Sequence, residues 1–236
     1  LQIQIYFGIM PIIQSTLTKI YSGFDFHVYK ISNTSNARRG IIYTPHGKIQ
    51  TPAFIFCATK GSMKSTTIPD VIRNKTQIIL SNTYHLFLKG VDTIKNLGGL
   101  HKALGFNKPM LTDSGGYQVF AMNFMNVSKD IKGSRNKTYK PTLVKIDDNN
   151  AKFRSYYTKE LITLDAETSI QTQMDLGADI ILAYDECTSS KITKNETLVS
   201  TLRSHNWEER SINYFITNKE KNPHKQALYG IVQGGV

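Results

Sequence analysis

Five short apolar runs punctuate the chain, each ending in a polar or glycine-bearing turn: TPAFIFCATKG from Thr51, TQIILSNTYH from Thr76, KPMLTDSGG from Lys108, ADIILAYDECT from Ala178 and ALYGIVQGG from Ala227. Their apolar positions are continuous rather than alternating, which is the pattern of strands buried on both faces, as in parallel sheets. The segments between them carry helical spacing. IPDVIRNK follows the first run. DAETSIQTQMDLG opens on Asp165 as an N-cap, places Ile170 and Met174 one turn apart, and closes at Gly177. NETLVSTLRSHNWEERSINYF has Leu198 and Leu202 four residues apart, with Trp207 further along, which predicts an amphipathic helix on that apolar edge. Strands alternating with helices predict an α/β fold around a parallel sheet.

Three regions depart from this alternation. Residues 21–50 read as antiparallel strands joined by polar turns. Residues 121–160 are rich in lysine and turn formers, with SKDIKGSRNKTYKPTLVK holding five Lys and one Arg against one Asp. They predict an exposed insertion after the third strand, either a phosphate-contacting surface or a solvated loop. Residues 1–20 are apolar, lack acidic residues and form an N-terminal extension, read as a targeting segment or as an extra strand.

Composition narrows the class. The 236 residues are 40% hydrophobic and 20% charged, as in a globular protein with a sizeable core. Lys and Arg number 29 against 18 Asp and Glu, a formal charge of +11. Such an excess fits a polyanionic partner, most simply a nucleic acid. Cys57 and Cys187 are far apart and form no redox or metal motif, so a reducing compartment is expected. No run is long enough to span a bilayer as a helix.

The chemistry gathers where the strands end, the face that carries function in α/β proteins. Asp113 stands before Ser114, Gly115 and Gly116, with Tyr117 next. The acid can act as a base, a nucleophile or an acceptor for a polar ligand, or simply cap the following helix. The glycines allow a ligand close to the main chain, and the Tyr117 ring can stack on a flat ligand or pack into the core. Asp185 and Glu186 form a second acidic strand end. A carboxylate there can accept from an N–H and an adjacent NH₂, the edge that guanine presents, or serve a structural ion pair. Gln233, followed by Gly234 and Gly235, offers an amide donor and acceptor beside an open backbone. His85 reads as a satisfied buried histidine. His101, His205 and His224 show no metal-ligand spacing, and no phosphate loop, dinucleotide fingerprint or zinc ligand set is present.

Together TPAFIFCATKGSMKS, IILSNTYHLFLKG, LTDSGGYQVF, FRS, SIQTQMDLGADIILAYDECT and ALYGIVQGGV resemble, in order and spacing, the queuine tRNA-ribosyltransferases, or tRNA-guanine transglycosylases. The resemblance runs from about Gly40 to Val236, and AYDECT is closer to the bacterial branch. It implies a (β/α)₈ TIM barrel with an N-terminal antiparallel sheet, of which residues 21–236 would supply about the first five strands. It implies exchange of guanine at the anticodon wobble position for queuine or its precursor base, through a covalent tRNA–enzyme intermediate. Asp113 then matches the proton acceptor. Ser114, Gly115, Gly116 and Tyr117 complete the base-binding stretch, Asp185 reads the N1–H and 2-amino edge, and Gln233 with Gly234 reads the remaining polar atoms. The expected partners are tRNA, a guanine- or queuine-type base and a second subunit, in a homodimer or heterodimer, with no membrane. The cytoplasm is the expected compartment, or an organelle if residues 1–20 are a targeting segment.

The same resemblance places the nucleophilic aspartate and a zinc site of three Cys and one His beyond Val236. It therefore implies zinc in the family, no metal ligand in this chain, no organic cofactor, and a truncated portion that is inactive alone. Ala58 and Lys60 stand where the family usually has Gly and Gln, and Lys60 adds positive charge near the pocket. Two further readings are a non-catalytic accessory subunit of the same family and a glycoside hydrolase using Asp113 and Asp185 as its carboxylate pair.

Overall fold

A computed structural model describes residues 21–124, 143–189 and 191–233. The stretch at 21–50 folds as expected into three antiparallel strands in chain order: β1 (Asp25–Ile31), β2 (Arg38–Thr44) and β3 (Gly47–Thr51). The five apolar runs then supply β4 (Phe56–Cys57), β5 (Ile79–Ser81), β6 (Met110–Thr112), β10 (Ile180–Leu182) and β11 (Ala227–Tyr229). These pair in parallel in the order β11-β10-β6-β5-β4. Each new strand adds on the same side of its predecessor, so the order never reverses as it does in a doubly wound sheet.

The connections are helical. The first helices are α1 (Ile68–Arg73), α2 (Thr83–Lys89), α3 (Asp92–Asn96), α4 (Leu100–Leu104) and α5 (Gly116–Phe124). The later ones are α6 (Ala166–Leu176) and α7 (Lys194–Asn218). Their ends follow local chemistry. Asp165 caps α6 by accepting from Thr168 N–H, and Gly177 closes it in the left-handed conformation, as its sequence predicts. Thr67 and Thr193 form capping boxes with Asp70 and Glu196 at the starts of α1 and α7. No helix among the described residues is long and apolar enough to cross a membrane.

The predicted exposed insertion needs correction. Residues 125–142, including Lys129, Lys132 and Lys137, lie outside the described residues. From Leu143 the chain forms a second antiparallel sheet of β7 (Leu143–Ile146), β8 (Ala151–Arg154) and β9 (Leu161–Leu164). Its inner face is core: Ala151, Phe153 and Leu164 are buried against Tyr84, Tyr184 and Trp207. A short two-sided sheet with lysines on its outer face reads as polar, because only alternate residues point inward.

The amphipathic reading of α7 also needs correction. Leu198 and Leu202 are 58% and 59% exposed, and the buried stripe is Ser200, Ser204, Trp207, Ser211 and Phe215. Small hydroxyl residues bring the helix close to the sheet and bond to it. The N–H groups of Tyr184 and Glu186 find their acceptors in Ser211 Oγ and Ser204 Oγ. The indole N–H of Trp207 donates to the Asp148 carbonyl at 2.8 Å, and its ring stacks on Tyr184 at 4.6 Å. Helix α7 thus clamps β10 and the second antiparallel sheet together.

Candidate base-binding site at the strand ends

Asn82 follows β5, Asp113 follows β6, Asp185 follows β10 and Gln233 follows β11, all at the carboxyl end of the parallel sheet. Adjacent parallel strands deliver their terminal residues to one edge, so four polar side chains distant in sequence become neighbours.

Asp113 accepts three hydrogen bonds, two on Oδ2 and one on Oδ1. The Asn82 amide donates to its Oδ2, as does Gln118 Nε2 at 2.9 Å, and Thr83 N–H donates to its Oδ1 at 2.8 Å. Burial raises its pKa above the ordinary carboxylate value, and the nearby charge of Asp185 adds to that, while the three donors work in the opposite sense. Gln118 Oε1 is buried without a partner among the described residues, leaving an acceptor beside the carboxylate.

Asp185 is held by two other groups. Ser114 Oγ donates to its Oδ1 at 2.6 Å, and the Gln233 amide donates to its Oδ2. Burial raises its pKa too, against those two hydrogen bonds. Each carboxylate oxygen keeps a second lone pair for a ligand. Gly116 is required here by close approach: a methyl group on it would overlap the Asp185 carbonyl oxygen. Gly115 has φ +88°, a conformation that favours glycine. Tyr117, at the start of α5, is 60% exposed, so its ring is not a core element. A pocket opens against Asp185, walled by Gly116, Phe120, Leu143, Ile146 and Cys187. Gly234 lies outside the described residues.

The other acid of the pair has a structural place. Glu186 forms an ion pair with Arg203 at 2.6 Å, and Arg203 also reaches Asp148.

Sequence reading missed the residues that set the spacing of the site. Strands β6 and β10 share a single registered pair, Ile180 with Leu111. Beyond it Gln173 of α6 fills the gap. Its Oε1 accepts from Thr112 Oγ1 at 3.1 Å and from Leu182 N–H at 2.9 Å, and its Nε2 donates to the Leu182 carbonyl at 2.8 Å. One turn earlier Ser169 donates to the Ser114 carbonyl at 2.6 Å. The available signal was polar Ser169 and Gln173 four residues apart on the buried face of a helix. Sequence spacing also gave no hint that His46 and His101 meet on Asp179, which precedes β10 at the opposite end of the sheet. His46 Nδ1 lies 2.7 Å from Asp179 Oδ1, and His101 Nε2 lies 3.1 Å from Oδ2. His85 is partly exposed, and its Nδ1 is 2.9 Å from the Tyr156 hydroxyl.

The family model for queuine tRNA-ribosyltransferase matches residues 32–236. The chain belongs to the queuine tRNA-ribosyltransferase family. It is 43% identical over 212 residues to the queuine tRNA-ribosyltransferase of Roseiflexus sp. (strain RS-1), covering 86% of this chain and 52% of that protein. It is 39% identical over 212 residues to the one from Chlamydia pneumoniae, covering 89% of this chain and 55% of that protein. Against the one from Prochlorococcus marinus (strain MIT 9211) it is 38% identical over 213 residues, covering 90% of this chain and 51% of that protein. The chain spans about half the length of the curated relatives it matches. Membership in the queuine tRNA-ribosyltransferase family leaves the glycoside-hydrolase reading without support.

Proposed function

We propose that this chain carries the base pocket of a tRNA-guanine transglycosylase, which exchanges guanine at the wobble position of a tRNA anticodon for queuine or its precursor. The observation that carries the reading is the Ser114–Asp185–Gln233 cluster beside Asp113 at adjacent strand ends. Asp185 presents an acceptor-only edge suited to the N1–H and 2-amino group of guanine, while Ser114 and Gln233 hold that edge in place. Asp113 accepts the proton in the exchange, with its pKa lifted toward the working range by burial. Tyr117 and the backbone of Gly115 and Gly116 give the flat base a wall; Gly234 is assigned to the base site by the resemblance.

Each exchange is a double displacement at the ribose C1′. A carboxylate nucleophile forms a bond to C1′ as the glycosidic bond to guanine breaks. The departing guanine takes up a proton; the incoming base then attacks C1′, releases the carboxylate and gives its ring N–H proton to Asp113. The resemblance puts that nucleophile beyond Val236, so Asp113 and Asp185 act on the bases. It puts the family's zinc ligands there too. Among the described residues, the group able to converge on a metal is His46, His101 and Asp179, which contains no cysteine and does not match that set. No step is therefore routed through zinc.

The unreversed strand order supports a (β/α)₈ barrel in the whole protein. Exposed Phe54 and Phe56 at the β4 edge and Tyr229 at the β11 edge suit continuation of the sheet. The net charge of +11 suits tRNA as substrate. A cytoplasmic site of action fits both the substrate and the free cysteines.

The test is incorporation of labelled guanine into tRNA by the full-length protein, wild type against Asp113→Asn. Exchange by wild type, with a loss of at least about a hundredfold in the variant, supports the assignment. Undiminished exchange in the variant removes Asp113 from the chemistry. No exchange by wild type favours the accessory-subunit reading.

A further inference from the structure

Lys60 stands one residue beyond Thr59, whose carbonyl accepts the N–H of Asn82, and Asn82 in turn holds Asp113. The lysine is therefore on the Asp113 side of the candidate base site, after β4. Its ammonium lies 5.3 Å from the ring centroid of Tyr157 and 5.8 Å from that of Tyr156, within cation–π range of both. The two tyrosine rings are 4.0 Å apart, and Tyr156 is braced from behind by His85 at 2.9 Å and by Tyr84 at 6.2 Å.

The tyrosines sit in the tight connection between β8 and β9, which is locked by its own hydrogen bonds. Ser155 is buried, its Oγ accepts from the N–H groups of Tyr157 and Thr158 at 3.2 Å, and its N–H donates to the Glu160 carbonyl. Tyr156 is thus fixed inward while Tyr157 stays 40% exposed, with the Lys60 ammonium beside the stacked pair. Burial first, then the charges of Lys60 and Lys64, lower the pKa of His85. Burial pushes the Tyr157 hydroxyl up, but hydrogen bonding with Lys60 and Tyr156 and the charges of Lys60 and Lys89 bring it below its ordinary value.

An exposed ring with an ammonium at its side, next to the candidate base site, is the combination used to hold a single strand: the ring stacks on a base and the cation meets its phosphate. We propose that Lys60 and Tyr157 form a subsite for the nucleotide adjacent to the one being exchanged, with its base stacked on Tyr157 and its phosphate on Lys60. The subsite rests on the transglycosylase reading for the identity of the RNA, but not for its own binding. A single charge beside a fixed aromatic pair adds affinity for the strand without touching the base under exchange.

The experiment uses the full-length protein and a fluorescein-labelled anticodon stem-loop RNA, read by anisotropy. Tyr157→Ala and Lys60→Ala should each weaken binding about tenfold. Tyr157→Phe and Lys60→Arg should stay within about twofold of wild type, since ring and charge are kept. Lys60→Ala should also lower the salt slope by about 0.7. Lys30→Ala, on β1 at the other end of the molecule, should change nothing. A 2-aminopurine placed beside the target nucleotide should lose fluorescence on binding wild type and keep it with Tyr157→Ala. Unchanged affinity in Tyr157→Ala and Lys60→Ala, or a wild type that does not bind the stem-loop, overturns the subsite. A wild type that binds through this subsite but incorporates no guanine supports the subsite and instead removes the transglycosylase activity.

Discussion

Ser114 and Asp185 lie 71 positions apart in sequence, yet the hydroxyl of one donates to the carboxylate of the other at 2.6 Å. The same hydroxyl accepts the N–H of Gly116 at 3.1 Å, so the end of β6, the start of α5 and the end of β10 are joined through one oxygen. Ser169 fixes the Ser114 carbonyl from the helix behind. The Asp185 carboxylate is thus positioned by a short relay of small side chains, and its geometry depends on how closely the backbones approach.

Gly116 sets that approach. Gly116→Ala places a methyl group on the Asp185 carbonyl, and the obstruction is backbone, which cannot rotate away. The two strand ends must separate. We expect a stability loss of about 1–3 kcal/mol in urea unfolding, the usual range for overpacking, and loss of guanine exchange. Wild-type guanine affinity in this variant would mean that the Ser114–Asp185 distance is not what holds the base.

Asp113 gives a pH signature of definite sign. Its folded-state pKa is raised, chiefly by burial and further by Asp185. A raised carboxylate binds its proton more tightly in the folded state, so its contribution is fully present below the ordinary value near 4 and is lost as pH rises through the folded value. Asp113→Asn does not titrate. In acid the variant should be less stable by about 1 kcal/mol, because Asn82 and Gln118 must turn to accept its amide. That deficit should shrink as pH rises toward neutrality. Melting temperatures across pH 3 to about 7 check this, and a widening deficit would contradict the burial argument.

Asp185→Ala should act on the base more than on the RNA. It removes the acceptors proposed for a guanine edge and strands the donors of Ser114 and Gln233. Loss of a matched polar edge costs about 3 kcal/mol, or more than a hundredfold in guanine utilisation. Stem-loop affinity should remain within about twofold of wild type. Unchanged preference for guanine over adenine would take Asp185 out of the pocket.

Asp179 should show the opposite pH sign at the other end of the sheet. Burial pushes its carboxyl up, but hydrogen bonds from His101, His46 and the Met110 N–H outweigh it and hold the pKa below the ordinary value. Its contribution is then present above the ordinary carboxylate range and lost as pH falls through the folded value. Asp179→Asn should cost about 1–3 kcal/mol near pH 7, with the difference from wild type narrowing in acid. Because this network joins the β2–β3 turn, α4 and β6, the N-terminal sheet should loosen first, seen as faster amide exchange in β2 and β3.

The chain order of the five parallel strands, the caps at Asp165 and Gly177, and the acids and amide at the strand ends were legible in the sequence, whereas β7, β8 and β9 were not. Each depends on contiguous residues: an apolar run long enough for one strand, a carboxylate beside three free N–H groups, a glycine where the backbone turns left-handed. The tertiary structure alone decided which of those polar residues meet. It gave Asp185 the partners Ser114 and Gln233 and gave Glu186 the partner Arg203, although the two acids are neighbours in sequence and both line the pocket. It turned Leu198 and Leu202 of α7 outward, and it made Gln173 the bridge between two splayed strands. It put Lys60 over Tyr157 and brought His46 and His101 to one carboxylate. These pairings join residues far apart in the chain, and they are fixed by strand order and helix packing rather than by any local preference. Local sequence could therefore supply the groups, and only the fold could choose their partners.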